Sequence, residues 1–447
     1  MSSDGQLIGA ALGGVALVLF LIIRTKLHAF VALLLGSLVI GIAAGMPLEG
    51  VLDSIANGVG STLASIAVVV GLGAMFGRML EVSGGAESLA ASLLNRSGEK
   101  RAQWALMIVG FIVAIPVFFD VAFIVLVSVI YGLTEKTGRP IVYYAVPLLA
   151  GLVVTHSFIP PTPGPIAVAG LLGADLGYVM MFGALIGIPA AIIAGPIYGR
   201  FIASRVSASM PEYMEVTETR KDGQLPPVSL IVLLIAIPLV LIVGNTVAGI
   251  ALEEGARARQ VLGLIGHPMV ALLVTTILCF HFLGTRAGYS REQVQDIATR
   301  ALEPAGIVIL VTAAGGVLKQ VLIDSGVGEV LADRLIATQL PSLFLAFLIA
   351  AVVRVMQGSA TVAMLTAGGL VAALFGGIAM SEAMLALHCI AIAAGATIAS
   401  HVNDSGFWLV NRYLGLTVPE TFKTWTALTT IASVVAIVLA MLVASLI

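Results

Sequence analysis

Charge is what this sequence has least of. Only 10% of its 447 residues are Asp, Glu, Lys or Arg, and 59% are hydrophobic. A soluble domain carries about 25% charged residues. This chain has too little polar surface to cover itself in water, so its solvent is lipid. A formal net charge of −2 supplies no field that would hold nucleic acid. Cysteine is scarce as well. Cys279 and Cys389 both lie in apolar runs, as small core hydrophobes do, and suggest neither a disulfide nor a metal site. Residues Met1 to Gln6 lack the basic start of a secretion signal, so the apolar run that follows reads as a span that stays. The sequence has no Walker loop, no metal-ligand cluster, and no nucleophile–base pair with a supporting soluble domain. No cofactor is implied, and the loops are too small to house an ATPase.

What is there is a succession of long apolar runs. A helix crossing a core of about 30 Å needs about 20 residues. Full spans are read at 7–23, 27–45, 61–80, 141–172, 176–199, 228–250, 267–284, 304–322, 383–410 and 425–447. The stretches 102–133 and 342–375 are too long for one straight crossing and too short for two. A re-entrant hairpin, two half-helices meeting within the membrane, fits each. Lys and Arg concentrate in cytoplasmic loops. With both termini outside, 16 of the 22 basic residues fall in inside loops, Arg24, Lys26, Arg101 and Arg139 among them. Arg257, Arg259 and Arg334 fall outside, and Arg78, Lys319 and Arg354 fall inside apolar segments. Hairpin 102–133 has basic flanks on both sides and hairpin 342–375 has none. One hairpin therefore enters from each face.

The halves repeat. Seven of 18 positions match between Gly73–Ala90 and Gly315–Ala332, and each copy precedes a hairpin. The expected fold is an all-α polytopic membrane protein of two inverted repeats, each of five spans and one hairpin. Residues 1–199 form the first repeat, 200–227 a solvated cytoplasmic linker, and 228–447 the second. Inverted repeats with broken helices are a transporter architecture, with the site near the midplane.

Charges at membrane depth cost at least about 2.5–3.5 kcal/mol each and are usually functional. Here they cluster at helix breaks. The first hairpin tip reads Pro116-Val-Phe-Phe-Asp120, where Asp120 can cap the second half-helix, bind a cation or carry a proton. The second tip reads Arg354-Val-Met-Gln-Gly-Ser-Ala-Thr361. Its small residues expose half-helix amides that suit an anion, with the hydroxyls of Ser359 and Thr361 beside them. Arg354 either contacts substrate or pairs with a carboxylate such as Asp120 or Asp404. Thr155-His-Ser-Phe-Ile-Pro-Pro-Thr-Pro-Gly-Pro165 cannot be a continuous helix. Its counterpart is Ser400-His-Val-Asn-Asp-Ser-Gly406. His156 and His401 hold corresponding places, and Asn403, Asp404 and Ser405 can recognise hydroxyls. Lys319 is placed to snorkel or to pair, Arg78 to snorkel, and His388 reads as structural.

At these residues the chain resembles the gluconate:proton symporter (gluconate permease) family of the ion transporter superfamily, over essentially its whole length. The most specific matches are the 155–165 segment, Gly358-Ser-Ala-Thr-Val362 and Ser400-His-Val-Asn-Asp-Ser-Gly-Phe-Trp408. Gly45-Met-Pro-Leu48 and Val321-Leu-Ile-Asp-Ser-Gly-Val327 support them. The chain departs from the family pattern at Asp120, where the pattern has Glu, and at Ser405, where it has Pro. The resemblance implies uptake of gluconate or a similar hydroxylated monocarboxylate together with protons. It also implies an elevator-type homodimer in the bacterial inner membrane. Segments 102–199 and 342–447 would form the transport domain, and spans 1–3 and 6–8 the scaffold. The tips here read Phe-Phe-Asp and Gly-Ser-Ala-Thr, unlike the Ser-Asn-Thr of dicarboxylate relatives, so those relatives' sodium sites are not carried over.

The expectation is a proton-coupled symporter of a sugar acid. Asp120 leads as proton carrier, with Asp404 and His156 as seconds. Gly358, Ser359, Thr361 and Arg354 take the carboxylate, and His156, Thr162, His401, Asn403 and Ser405 read hydroxyls. Another cargo, such as glycerate, a D-amino acid or a dicarboxylate, or sodium in place of protons, is the alternative. An intramembrane enzyme would need Ser157 with His156, but neighbours on a helix do not face each other. A channel would show rapid uncoupled flux, which the opposed hairpins argue against.

Overall fold

A computed structural model describes residues 3–98, 101–206, 225–253, 256–327, 330, 341–375, 378–402 and 404–447. Asn403, the linker centre 207–224 and Arg334 lie outside the described residues. Every regular element among the described residues is a helix. Among them, seven helical segments are long and apolar enough to cross a membrane, and a pair bent by 41° between Ala64 and Ala67 would make an eighth.

The chain opens with α1 (Asp4–Ile23), capped by Ser3, and α2 (Ala29–Ala43). α2 has 15 residues, about 22 Å of helix, so the run expected at 27–45 falls short of a full straight span. α3 (Leu48–Val82) is far longer than the expected 61–80. Its polar first turns extend the helix beyond the apolar run. α4 (Gly85–Ser97) leads into the first hairpin, formed by α5 (Ala102–Val113) and α6 (Phe119–Thr137). The run 141–172 is broken into α7 (Ile141–Phe158) and α8 (Pro163–Leu172). α9 (Leu176–Ile192) continues through a π-helical turn into α10 (Tyr198–Ala203).

After the linker come α11 (Val228–Ala251), α12 (Arg257–Ile265) and α13 (Pro268–Cys279). α14 (Arg291–Asp324) again outruns its expected span, 304–322, because a charged stretch opened by a Ser290–Gln293 capping box precedes the apolar run. The second hairpin is α15 (Ser342–Gln357) and α16 (Ala360–Phe375). The run 383–410 is broken into α17 (Glu382–Thr397) and α18 (Ser405–Tyr413). α19 (Val418–Thr421) passes through a further π-helical turn, Phe422–Thr426, into α20 (Ala427–Ala444).

The two longest helices, α3 and α14, lie against each other. Each hairpin's first arm packs on the helix that ends in a break: α5 on α7, and α15 on α17. Glycine makes both contacts possible. A side chain at Gly151 would run into the Met107 carbonyl, and one at Gly395 into the Phe347 carbonyl. Without a hydrophobic drive between helices in lipid, such close backbone approach is what holds them together.

Candidate functional site

All four helix breaks open onto one cavity of about 130 Å³. The first hairpin contributes Phe118, Phe119 and Asp120; the end of α7 contributes His156 and Ser157. The second hairpin contributes Arg354 and Ser359–Thr361, and the last break Asp404, Ser405 and Gly406. Trp425 and Thr429, from the start of the final span, complete the wall.

The local chain explains each break. After Val113 the helix gives way to a turn around Pro116, and Phe118 re-enters extended before α6. No side chain caps α6. Asp120 sits in its first turn instead, where the positive end of the helix dipole favours an anion. The Asp120 carboxylate has neither a hydrogen-bond nor an ion-pair partner among the described residues, so the capping role is not the one it plays. At the second tip Gly358 takes φ +90°, a conformation that glycine adopts without strain, and closes α15 by donating its N–H to the Arg354 carbonyl at 2.9 Å. α16 starts two residues later, with the Ser359 hydroxyl accepting the Val362 N–H at 3.4 Å. The first amides of α16 thus border the cavity.

Arg354 does not face the cavity as a free cation. Its Nη2 lies 2.5 Å from Asp404 Oδ2, and its Nη1 donates to the Gly358 carbonyl. Asp404 is fully engaged. It caps α18 through the Gly406 N–H at 3.1 Å and accepts from Ser400 Oγ. The Trp425 indole N–H donates to that same Ser400 hydroxyl at 2.6 Å. Trp425 also stacks on Phe119, ring centroids 5.1 Å apart. A chain of hydrogen bonds therefore runs Trp425, Ser400, Asp404, Arg354, Gly358, tying the final span to the second hairpin. Three buried atoms around the cavity have no partner among the described residues: His156 Nδ1, Ser157 Oγ and Arg354 Nε. Buried polar groups are nearly always satisfied, so these three atoms are donors and acceptors that the described fold leaves unused.

Of the residues singled out in the sequence, Asp120, His156, Arg354, Ser359, Thr361, Asp404 and Ser405 line this cavity, and Gly358 forms its hairpin turn. Thr162 and His401 do not line it. The Thr162 hydroxyl donates to the Ile159 carbonyl at 2.7 Å. His401 holds the Ala399 carbonyl through Nδ1 at 2.9 Å. Both serve their own breaks. Lys319 donates to the Leu171 carbonyl at 2.7 Å, at the C-terminal end of α8, and Arg78 pairs with Glu81. Sequence reasoning missed Phe118, Trp425, Ser400 and Thr429. For the last span a signal existed: Thr426, Thr429 and Ser433 recur at helical spacing on one face of an otherwise apolar helix.

Broken helices enclosing a buried polar cavity define the chain as a polytopic membrane carrier rather than a soluble enzyme. The chain belongs to the GntP family of permeases, whose family model matches residues 6–447. It is 40% identical over 437 residues to the low-affinity gluconate transporter of Escherichia coli K12, covering 98% of each chain. It is 36% identical over 447 residues to the gluconate permease of Pseudomonas aeruginosa, covering 99% of this chain and 98% of that one. The Gnt-II system L-idonate transporter of E. coli is 38% identical over 421 residues, 94% of this chain and 95% of the relative. Among solved structures, that of the Alcanivorax borkumensis YdaH transporter shares the fold, with a TM-score of 0.67 at 16% identity, covering 93% of this chain and 98% of that one. The protein is a membrane transporter, not an enzyme.

Proposed function

We propose that the chain is a proton-coupled symporter that imports gluconate or a related hydroxylated monocarboxylate across the inner membrane. The observation that carries this reading is the charge balance of the cavity. Arg354 and Asp404 neutralise each other, which leaves Asp120 as the unpaired ionisable carboxylate facing the substrate space. An anionic substrate beside an ionised Asp120 would put two like charges in one cavity of about 130 Å³. Anion and proton therefore enter together. The substrate carboxylate meets the first amides of α16 with Ser359 and Thr361, and its hydroxyls meet His156, Ser157 and Ser405.

Gluconate is the first choice because two of the relatives described are named for it, and the L-idonate relative points to the same class of polyhydroxy acid. The matched packing of α5 on α7 and of α15 on α17 supports two inverted repeats, 1–199 and 228–447. The basic loops support a cytoplasmic position for 24–28 and periplasmic termini. The hairpins with their broken partners, 102–199 and 342–447, then move as a transport domain against a scaffold built on α3 and α14, in a homodimer.

Uptake of labelled gluconate into proteoliposomes tests the reading. An imposed inward proton gradient is expected to drive accumulation without sodium, and a panel of sugar acids to compete. Uptake that requires sodium and ignores the pH gradient would overturn it.

A further inference from the structure

A second cavity, of about 210 Å³, lies on the other side of the second hairpin tip. Gln357, Gly358 and Ser359 form that tip. Ser359, Ala360 and Thr361 border the first cavity, while Gln357 and Val362 border the second. The opposite wall belongs to the scaffold: Lys26 and His28, in the loop between α1 and α2, and Val311 of α14.

The polar groups here are arranged for an anion that also carries hydroxyls. Lys26 brings an ammonium with no hydrogen-bond or ion-pair partner among the described residues. His28 Nδ1 accepts the Phe30 N–H at 3.3 Å, so in the neutral ring Nε2 carries the proton and is a donor. Gln357 Oε1 is buried and has no hydrogen-bond partner; it can accept from an alcohol. Lys26 is also held at φ +59°, in the left-handed region that side-chain-bearing residues rarely occupy. Such outliers concentrate where a site demands them.

We propose that Lys26, His28 and Gln357 form a second carboxylate subsite, on the cytoplasmic side of the hairpin tip, that receives the hydroxylated monocarboxylate as it leaves the first cavity. The inference rests on the transport reading above and on the cytoplasmic placement of the 24–28 loop. Because the two cavities share the turn at Gly358, a shift of that turn would pass the ligand from one to the other. Lys26 then acts from the fixed part of the molecule, drawing the carboxylate away from the moving part.

Gluconate exchange measured separately from each face, in right-side-out and inside-out vesicles, tests this. Asn tolerates the left-handed conformation, so Lys26→Asn removes the charge and keeps the turn. It is expected to raise the KM at the cytoplasmic face about three- to fivefold, leave the periplasmic KM unchanged, and lose its effect at high ionic strength. Lys26→Arg should restore the wild-type value, and Gln357→Leu should raise the same KM. Unchanged kinetics at both faces, an equal change at both, or a change that survives high salt would overturn the subsite while leaving gluconate transport standing. If the unaltered chain exchanges no gluconate at all, the transport reading itself falls, and the subsite with it.

Discussion

Arg354 and Asp404 meet across 50 residues of sequence, guanidinium Nη2 to carboxylate Oδ2 at 2.5 Å, and so join the second hairpin to the last broken span. The pair sits at the candidate site yet leaves neither charge free for the substrate. That closure is what singles out Asp120.

Breaking a buried ion pair from one side strands the other charge, at a cost of about 3–5 kcal/mol. Arg354→Gln and Asp404→Asn are each expected to lower the melting temperature in detergent sharply. The double variant should recover part of the loss, because no charge is then left unpaired. Additive losses would show that the pair is not a unit.

Trp425 lines the cavity and makes a single indole hydrogen bond, to Ser400. Trp425→Phe keeps the aromatic face towards Phe119 and removes that bond, worth about 1 kcal/mol. Substrate affinity should weaken by up to about fivefold, while accumulation driven by a pH gradient persists. Loss of coupling without loss of affinity would contradict the positioning role.

Gly395 lies against the Phe347 carbonyl, whereas Gly249 has open space around its Cα. Gly395→Leu should cost about 1–3 kcal/mol or more through overpacking and yield little monodisperse protein on size-exclusion chromatography. Gly249→Leu should behave like the parent. Equal behaviour of the two would mean that the packing of α15 on α17 is not close.

Sidedness can be read by thiol labelling, since Cys279 and Cys389 are both buried and give little background. A cysteine at Arg24 should react only from the cytoplasmic face, and one at Ala379, which is exposed beyond the second hairpin, only from outside. The reverse pattern would invert the topology.

Much of this was legible in the residues. Pro116, the prolines at 160–165 and Gly358 interrupt helices by local geometry alone, so the breaks fell where they were expected. The choice of Asp404 over Asp120 as the partner of Arg354 was not legible. It depends on how two segments 50 residues apart are packed, and either carboxylate satisfied the sequence equally. Thr162 and His401 were expected in the site because they stand in the breaks. The Thr162 hydroxyl and His401 Nδ1 are instead engaged within a few residues by Ile159 and Ala399, since an unwound helix must first satisfy its own carbonyls. The full lengths of α3 and α14 were hidden because hydropathy marks where lipid begins, not where a helix does.

Coupling is tested most directly by following protons and substrate in the same proteoliposomes. Addition of gluconate to the unaltered protein, with no gradient imposed, should alkalinise the outer medium as protons enter with the anion. Asp120→Asn should abolish that signal and all uphill accumulation while still exchanging labelled for unlabelled gluconate. Gluconate-driven proton entry at the wild-type rate in Asp120→Asn would contradict the assignment of the coupling site.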